Sequence, residues 1–205
     1  MVESSWTPVL LALMTGLASI LWFRRTVVEF GLESVRGQFT ALIGGMLLFQ
    51  AVGFLFVEST FPVRLGLIAA LFFILSRTGI LLANLRYVWY FLKQGYTLGW
   101  LMSLIVVALT LSLLLGILST VVASSYTVEA IYLVGIDILT LSVVVYNLML
   151  LWGSEITKRW LFGSMVILLV TLGDALFLFY PGSPLPLILW SLAVLFMGIT
   201  GTLRT

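Results

Sequence analysis

Apolar residues in this chain are gathered into seven long stretches, each close to the length that an α-helix needs to cross a bilayer. The stretches cover residues 6–23, 39–57, 64–92, 98–122, 128–152, 160–180 and 184–203. A transmembrane helix requires about 20 apolar residues, and its backbone groups must pair internally because lipid offers no hydrogen-bond partners. The pattern predicts an all-α integral membrane protein, a seven-transmembrane-helix bundle that forms one domain over residues 1–205.

Composition narrows the class of protein further. The chain is 62% hydrophobic and only 9% charged, whereas a soluble domain carries about 25% charged residues. Its basic residues lie in the connections between apolar stretches instead of forming one patch, so we expect no nucleic-acid partner. The predicted location is the cell membrane, with several passes of the chain through the lipid bilayer.

Histidine and cysteine are both absent from the sequence. Their absence removes thiolate chemistry, iron–sulfur clusters and the usual ligands of haem, zinc and copper. The only lysines, Lys93 and Lys158, fall at the ends of predicted helices, where they cannot hold a Schiff-base chromophore inside the bundle. We therefore expect no metal and no cofactor.

Lysine and arginine are unevenly divided between the two sides of the predicted bundle. One side carries Arg24, Arg25, Arg36, Lys93, Lys158, Arg159 and Arg204. The other side carries only Arg64. Cytosolic loops are enriched in Lys and Arg, so the N-terminus is predicted outside the cell and the C-terminus in the cytosol.

The first cytosolic connection, RRTVVEFGLESVRGQF, has helical spacing of its own, with Val28, Leu32 and Val35 recurring along it. Two interpretations fit this spacing. One is a short helix that lies on the inner surface of the membrane. The other is a helical extension of the first transmembrane stretch.

A weak internal repeat is indicated by identical residues that share one offset along the chain. The pairs are Pro62 and Pro184, Thr78 and Thr200, and Gly79 and Gly201. At this offset helices one to three overlay helices five to seven, and helix four connects the two units. Both units begin on the same side of the membrane, as in transporters built from parallel repeats. The sequence is consistent with a 3+1+3 parallel repeat.

Three ionisable residues, Arg77, Asp137 and Asp174, interrupt the apolar stretches. A rise of 1.5 Å per residue places them about 10–20 Å from the outer ends of their helices, so we expect them to share a layer. Ionisable groups at such depths are costly and usually mark a functional site.

Uncharged polar residues accompany the three charges, on the same helix faces or at a similar depth. They are Gln50, Asn84, Thr140, Asn147 and Thr171. Residues three, four or seven positions apart lie on one face of a helix. Directing these faces inward predicts a bundle with a polar interior and with Leu, Val, Ile and Phe on its lipid-facing sides.

The polar set has two interpretations. In the structural one, Arg77 pairs with one or both aspartates, and the ion pair only fixes the register of the helices. In the functional one, the set lines a wet cavity open to the outside. There the carboxylates would bind a cation or a proton. Arg77 would bind an anionic group or tune the affinity of the aspartates for their ligand.

The leading functional hypothesis is a membrane protein whose polar, outward-accessible core binds or translocates a small solute, ion or proton. The alternative is a receptor-like sensor or an accessory subunit, with a protein partner or a second copy of the chain, in which the buried ion cluster is structural. Neither hypothesis requires enzymatic activity.

A third hypothesis, an intramembrane aspartyl protease, rests on a partial resemblance. Leu172-Gly173-Asp174 and Pro184-Leu185-Pro186 resemble the Gly-x-Gly-Asp and Pro-Ala-Leu motifs of presenilin-type proteases. Thr171 stands where that family has its first glycine, and a helix is missing between the two motifs. We therefore assign no catalytic residue.

Overall fold

The computed structural model describes residues 6–57, 67–122, 128–152, 157–180 and 183–202. These residues form seven α-helices and one π-helical turn. The α-helices are α1 (Thr7–Arg25), α2 (Val35–Leu55), α3 (Leu67–Lys93), α4 (Trp100–Val122), α5 (Val128–Leu150), α6 (Thr157–Phe179) and α7 (Leu185–Thr202). The prediction of an all-helical fold is confirmed. The predicted outer connections lie outside the described residues, except for Ser183. Arg64 and Arg204 also lie outside them.

Four of these helical segments are long and apolar enough to cross a membrane. They are Pro8–Phe30, Val35–Leu55, Ile68–Lys93 and Ile131–Leu150. Three shorter apolar segments were found among the described residues: Met102–Leu113, Met165–Phe177 and Leu185–Thr200. Large apolar side chains such as Leu13, Leu17 and Ile20 stand on the outer surface of the bundle. An apolar surface of this extent is stable in lipid and not in water, so the helices are those of a membrane protein.

Six helices form a closed ring, and one lies outside it. Around the ring, α1 packs on α2, α2 on α3, α3 on α5, α5 on α6, α6 on α7, and α7 on α1 again. In the described part of the chain, α4 packs on α5 alone. The residues between α3 and α5 therefore leave the ring before the chain returns to it.

Contacts at one end of the ring give the relative directions of three helices. Thr26, just after α1, and Thr40, early in α2, are hydrogen-bonded through their hydroxyls at 2.8 Å. These two helices are therefore antiparallel. Trp22 donates from Nε1 to the Met197 carbonyl at 3.2 Å, and Arg25 donates from Nη1 to the Thr200 carbonyl at 2.9 Å. Moving from Trp22 to Arg25 along α1 corresponds to moving from Met197 to Thr200 along α7, so the two helices are parallel.

The same reasoning shows that α3 and α5 are parallel. Near the middle of α3, Arg77 contacts Asp137 of α5. Further along α3, Tyr87 belongs to an apolar cluster with Leu151, which follows α5. The ends where α1, α3, α5 and α7 finish therefore lie together. We call this the basic end, because the described residues there include Arg24, Arg25, Arg36, Arg86 and Lys93.

The connection between α1 and α2 continues the first helix. Thr26–Phe30 form a π-helical turn directly after α1. Gly31 then adopts a φ of 70°, a left-handed conformation that suits glycine and ends the helix. The first helix is therefore extended, and no separate surface helix forms over these residues. Gly31 separates Val28 from Leu32 and Val35, whose helical spacing had predicted the surface helix.

Several helix boundaries differ from the predicted ones. The second helix starts at Val35, before the predicted Phe39, because Ser34 caps it by accepting a hydrogen bond from the Gly37 amide at 2.9 Å. Serine is a preferred residue at the N-cap of a helix. Ser34 was not recognised as one because it lies in a charged stretch that the sequence assigned to the connection between the first two helices. The sixth helix likewise begins at Thr157 and not at Trp160.

Apolar side chains close the interior of the ring at two levels. The upper cluster, at the end opposite the basic end, is Leu11, Ala12, Phe54, Ala69, Phe73, Leu133 and Trp190. The central cluster lies towards the basic end and includes Ala18, Ile43, Leu47, Ile80, Ala83, Val144, Val170, Ala193 and Met197. The polar residues described next lie between these two clusters.

Candidate functional site

Five helices of the ring each contribute one side chain to a buried polar group. We call it the charged cluster: Gln50 of α2, Arg77 of α3, Asp137 of α5, Asp174 of α6 and Trp190 of α7. Arg77 stands at its centre. The structure thus brings together the three charges that the sequence placed at a common depth.

The guanidinium of Arg77 contacts three side chains. Its Nε lies 3.2 Å from Asp137 Oδ1, and its Nη2 lies 3.6 Å from Asp174 Oδ2. Its Nη1 donates a hydrogen bond to Gln50 Oε1 at 3.1 Å. The Nε–H is not aligned on a hydrogen-bond acceptor, so the contact with Asp137 is an ion pair without an aligned hydrogen bond.

Trp190 completes the cluster, and the sequence analysis did not include it. Its Nε1 donates to Asp174 Oδ1 at 2.6 Å. Gly173 makes this approach possible, because a Cβ at that position would lie only 2.7 Å from Trp190 Cδ1 and Nε1. The signal in the sequence was a tryptophan in the middle of an apolar helix, since a buried indole N–H needs an acceptor.

This packing also gives the Gly173-Asp174 pair a role without proteolysis. The glycine lets α7 approach α6, and the aspartate accepts the hydrogen bond of the tryptophan that approaches. Asp174 and Asp137 are both held by Arg77. The resemblance to a protease motif therefore coincides with a packing requirement of the helix pair.

The charged cluster is removed from solvent and its formal charges do not balance. Arg77, Asp137 and Asp174 are only 6%, 2% and 8% exposed. One guanidinium faces two carboxyl groups, which are close enough to interact with each other directly. A buried charge without a partner costs several kcal/mol. A neutral cluster therefore requires one further positive charge, which a bound proton or a cation would supply.

A small cavity adjoins the cluster on the side of the upper apolar cluster. Its volume is about 20 Å³, which is room for about one water molecule. Its lining residues are Phe54, Phe73, Arg77, Leu133, Val134, Asp174, Phe177 and Trp190. The space beside the charges therefore suits a proton and a water better than a solute of several atoms.

The remaining polar residues of the predicted set lie apart from this cavity. The hydroxyls of Thr140 and Thr171 donate to the carbonyls of Ile136 and Ile167, one turn earlier in their own helices, at 2.8 and 2.9 Å. Side chains bonded in this way are satisfied within their own helix. Their hydroxyl oxygens keep lone pairs that can still accept a hydrogen bond.

The two asparagines of the set differ from the threonines because they are buried with unpaired atoms. Asn84 donates from Nδ2 to the Ile80 carbonyl at 2.8 Å, but its Oδ1 has no partner. Asn147 is 0% exposed, and neither its Oδ1 nor its Nδ2 has a partner. The second oxygen of Asp137, Oδ2, is also unpaired. Each such group costs about 1–3 kcal/mol if nothing binds it.

A second buried arginine lies at the basic end, where the sequence suggested only a loop charge. Arg25 donates to the Thr200 carbonyl in the last turn of α7 and from Nε to Glu29 Oε2 at 3.1 Å. Its guanidinium also lies over the rings of Trp22 and Phe30, at 5.9 and 5.4 Å from their centroids. A cation at a helix C-terminus is stabilising. Arg25 therefore fastens the end of α7 to the turn after α1.

Among the described residues, no group of acidic side chains is arranged to hold a metal ion. The search for related proteins adds nothing to the geometry: no family model, no curated protein and no solved structure matches this chain.

Proposed function

We propose that this chain is a seven-helix protein of the cell membrane that binds and releases a proton at the charged cluster, as part of proton transport or of transport coupled to protons. The observation that carries this proposal is one buried guanidinium held between two buried carboxyl groups. With both carboxyl groups ionised, the cluster has one negative charge in excess. A proton shared by the aspartates removes that charge without requiring space.

A metal cation fits the same site less well. Hard cations are bound by six or more oxygen atoms. The oxygens offered here face the Arg77 guanidinium, which would repel a cation, and the adjoining cavity holds about one water. A solute of several heavy atoms would require the bundle to open. These points favour the proton among the ligands that the sequence left open.

We further propose that all seven helices cross the membrane, with the N-terminus outside and the C-terminus in the cytosol. The gathering of Arg24, Arg25, Arg36, Arg86 and Lys93 at one end of the bundle supports this orientation. The antiparallel pairing of α1 with α2 and the parallel pairings of α1 with α7 and α3 with α5 agree with a chain that reverses direction at each connection.

The order of helices in the ring supports the 3+1+3 parallel repeat. The unit α1–α2–α3 and the unit α5–α6–α7 each occupy three consecutive places, and α4 lies outside. Gln50 and Arg77 belong to the first unit, whereas Asp137, Asp174 and Trp190 belong to the second. The charged cluster therefore lies between the two units of the proposed repeat.

This location suggests how a proton would be coupled to movement. Arg77 and the proton are alternative partners for the same carboxyl oxygens, so protonation of an aspartate weakens its attraction to Arg77. A weaker ion pair lets the two units separate more easily at that level. Rocking of two repeats about a central site is the usual means of alternating access in secondary transporters.

Infrared spectroscopy of the purified protein tests the proposal. We expect a band from a protonated carboxyl group in the wild-type protein at neutral pH. Asp137→Asn and Asp174→Asn should each remove it, because the remaining carboxylate then balances Arg77. Glu29→Gln, a change at the exposed side of the Arg25 ion pair, is the control and should leave the band unchanged.

Two results would contradict the proposal. One is the absence of a protonated carboxyl band in the wild type, which would mean that a cation or a permanent excess charge occupies the site. The other is a band that survives both aspartate variants. In proteoliposomes, a pH-sensitive dye should report proton movement that both aspartate variants abolish and the Glu29 control retains.

A second candidate function, a subunit that assembles with a second copy of the chain and whose ion cluster is structural, is favoured by the position of α4. A largely apolar groove of about 340 Å³ lies between α3, α4 and α5. Its lining residues are Leu85, Val88, Val106, Val107, Thr110, Leu111, Leu139, Ser142, Val143 and Tyr146. In this candidate a transmembrane helix of a second copy of the chain fills the groove. Native mass spectrometry would show a dimer that Val107→Trp disrupts; a monomer unaffected by this change would exclude it.

A further inference from the structure

Two buried asparagines lie between the charged cluster and the basic end. Asn84 follows Arg77 by two turns of α3, and Asn147 follows Asp137 by nearly three turns of α5, which are axial distances of about 10 and 15 Å. Because α3 and α5 are parallel, both asparagines are displaced from the cluster in the same direction. They are 3% and 0% exposed.

These asparagines stand in surroundings that offer them few partners. Ile80, Ala83 and Val144, their neighbours along the two helices, belong to the central apolar cluster. Asn84 Oδ1, Asn147 Oδ1 and Asn147 Nδ2 are unpaired among the described residues, as is Asp137 Oδ2. Buried polar atoms in proteins are nearly always hydrogen-bonded, to protein or to ordered water. Three unpaired atoms towards the basic end, together with Asp137 Oδ2 at the cluster itself, therefore point to a ligand that binds them.

We propose that ordered water molecules bind Asp137, Asn84 and Asn147 in a row, and that this row carries protons between the charged cluster and the basic end. The inference rests on the proposed function, since it supplies the path for the proton that the cluster holds. An asparagine amide donates and accepts hydrogen bonds without exchanging its own protons readily, so it orients water and leaves the transfer to the water molecules.

Thr140 contributes a further acceptor within the row. Its hydroxyl proton is donated to the Ile136 carbonyl, which leaves the lone pairs of the oxygen free to accept from a water molecule. It lies one turn from Asp137 and about two turns from Asn147. Asn84 of the neighbouring α3 lies between Thr140 and Asn147 in height, so successive polar side chains of the row are about 5–6 Å apart along the bundle axis.

The proton transfer balances along such a row. In release, the O–H bond of the protonated aspartate breaks as a new O–H bond forms on the nearest water. That water passes one of its own protons to the next, and the last water delivers a proton to solvent at the basic end. Uptake follows the same steps in reverse, with the carboxylate as the final acceptor.

The opposite direction is less favourable for this transfer. There the cluster meets Phe54, Phe73, Leu133 and Trp190, and the cavity among them holds about one water. Towards the basic end the central apolar cluster also closes the interior, but there the buried polar atoms of Asn84 and Asn147 interrupt it, and the apolar layer with Leu151 follows. The row therefore ends about one turn from the basic surface.

Hydrogen–deuterium exchange of the protonated carboxyl band tests the inference. After transfer of purified protein into D2O, the band should shift as the carboxyl proton is replaced. Asn84→Leu and Asn147→Leu should each slow this shift by about tenfold or more. A tenfold slower rate corresponds to about 1.4 kcal/mol added to the barrier. The band itself should remain at its wild-type intensity. Asn147→Ser, which keeps a hydrogen-bonding group, should restore much of the rate.

One control variant changes α5 away from the proposed path, and a second variant changes the cavity on the opposite side of the cluster. Ser142→Ala changes α5 on the face that contacts Thr110 of α4, and it should exchange at the wild-type rate. Val134→Ile narrows the cavity on the opposite side of the cluster, so it tests the alternative path on that side.

The outcomes separate this inference from the proposed function. A missing carboxyl band in the wild type contradicts the proposed function. A normal band with exchange that neither asparagine variant slows contradicts the water row alone. Exchange slowed by Val134→Ile and not by Asn147→Leu would place the path on the other side of the cluster.

If Asn84→Leu does not fold, Asn147→Leu and Asn147→Ser still decide the outcome.

Discussion

Gly173 of α6 and Trp190 of α7 fit together with no space for one more carbon atom. A Cβ on Gly173 would lie 2.7 Å from Trp190 Nε1, the same nitrogen that donates to Asp174 Oδ1 at 2.6 Å. The glycine and the aspartate that follows it thus both meet the Nε1 edge of one indole ring. Packing and hydrogen bonding at this point cannot be changed independently.

Gly173→Ala should therefore destabilise the protein and disturb the charged cluster. We expect a loss of about 1–3 kcal/mol, because the added methyl group must displace a buried ring. Thermal unfolding in detergent measures the loss. Gly198→Ala in α7 is the matched control, since a Cβ there meets nothing within 4 Å. Equal stability of the two variants would show that Trp190 moves aside at little cost.

Trp190→Phe should destabilise the protein through the lost hydrogen bond to Asp174. The buried Oδ1 would lose its donor, at a cost of about 1–3 kcal/mol. Trp152→Phe, at a residue that is 73% exposed, is the control and should have little effect. A Trp190→Phe variant as stable as this control would mean that Asp174 finds another donor within the cluster.

Arg77→Ala should be less stable than the double variant Arg77→Ala/Asp137→Asn. Removal of Arg77 alone leaves carboxyl groups buried without their partner, which costs about 3–5 kcal/mol. Removal of the Asp137 charge at the same time should recover much of that loss. Asp174→Asn should recover less, because Asp174 lies farther from Arg77 and also accepts from Trp190. A double-mutant cycle of unfolding free energies gives both coupling energies; strictly additive changes would mean that the ion pairs contribute nothing.

Single cysteines should label the two faces of the membrane selectively, because the natural chain has none. We expect Ser4→Cys and Ser125→Cys to react from outside intact cells with an impermeant thiol reagent, and Ser154→Cys to react only after permeabilisation. The expectation follows from the uneven distribution of Lys and Arg. Reaction at position 154 from outside would reverse the orientation or change the number of crossings.

Purified protein should lack visible absorbance of its own. The chain has no His or Cys, and Lys93, one of its two lysines, lies in the last turn of α3. The sequence therefore offers no His or Cys ligand for haem, and Lys93 offers no buried amine for a retinal. An absorption spectrum of protein purified in detergent checks the expectation. A haem band, or a chromophore released only by cleavage of a lysine linkage, would contradict it.

Much of the fold could be predicted from the sequence because membrane helices are long and apolar. The positions of the helices follow from hydrophobic length, although α2 and α6 start earlier than predicted. Arg77, Asp137 and Asp174 follow from their isolation in apolar stretches. The partners Gln50 and Trp190 were harder to assign to those charges, because the order of helices around the ring decides which side chains meet. Gln50 was included only for its polarity, and Trp190 was indistinguishable from the aromatic residues that face lipid.

The first connection shows a different limit. Its spacing left open a surface helix or an extension of the first helix, and neither interpretation placed Arg25 in the interior, where it contacts Thr200 and Trp22. The contact with Thr200 joins residues 175 positions apart in the chain, so no local pattern could reveal it. The unpaired atoms of Asn84 and Asn147 have the same origin, since local spacing shows that an asparagine faces inward but not what it meets there.

The position of α4 outside the ring has a consequence for how such a chain can be assembled. Two units of three helices can share one orientation only if an odd number of crossings joins them. In the proposed topology α4 supplies that crossing, and its packing on α5 alone places few demands on its sequence. Its only described side-chain hydrogen bond to the ring joins Thr110 and Ser142. The central helix would then be the part of the chain most open to replacement, and the two halves could be expressed as separate polypeptides that assemble.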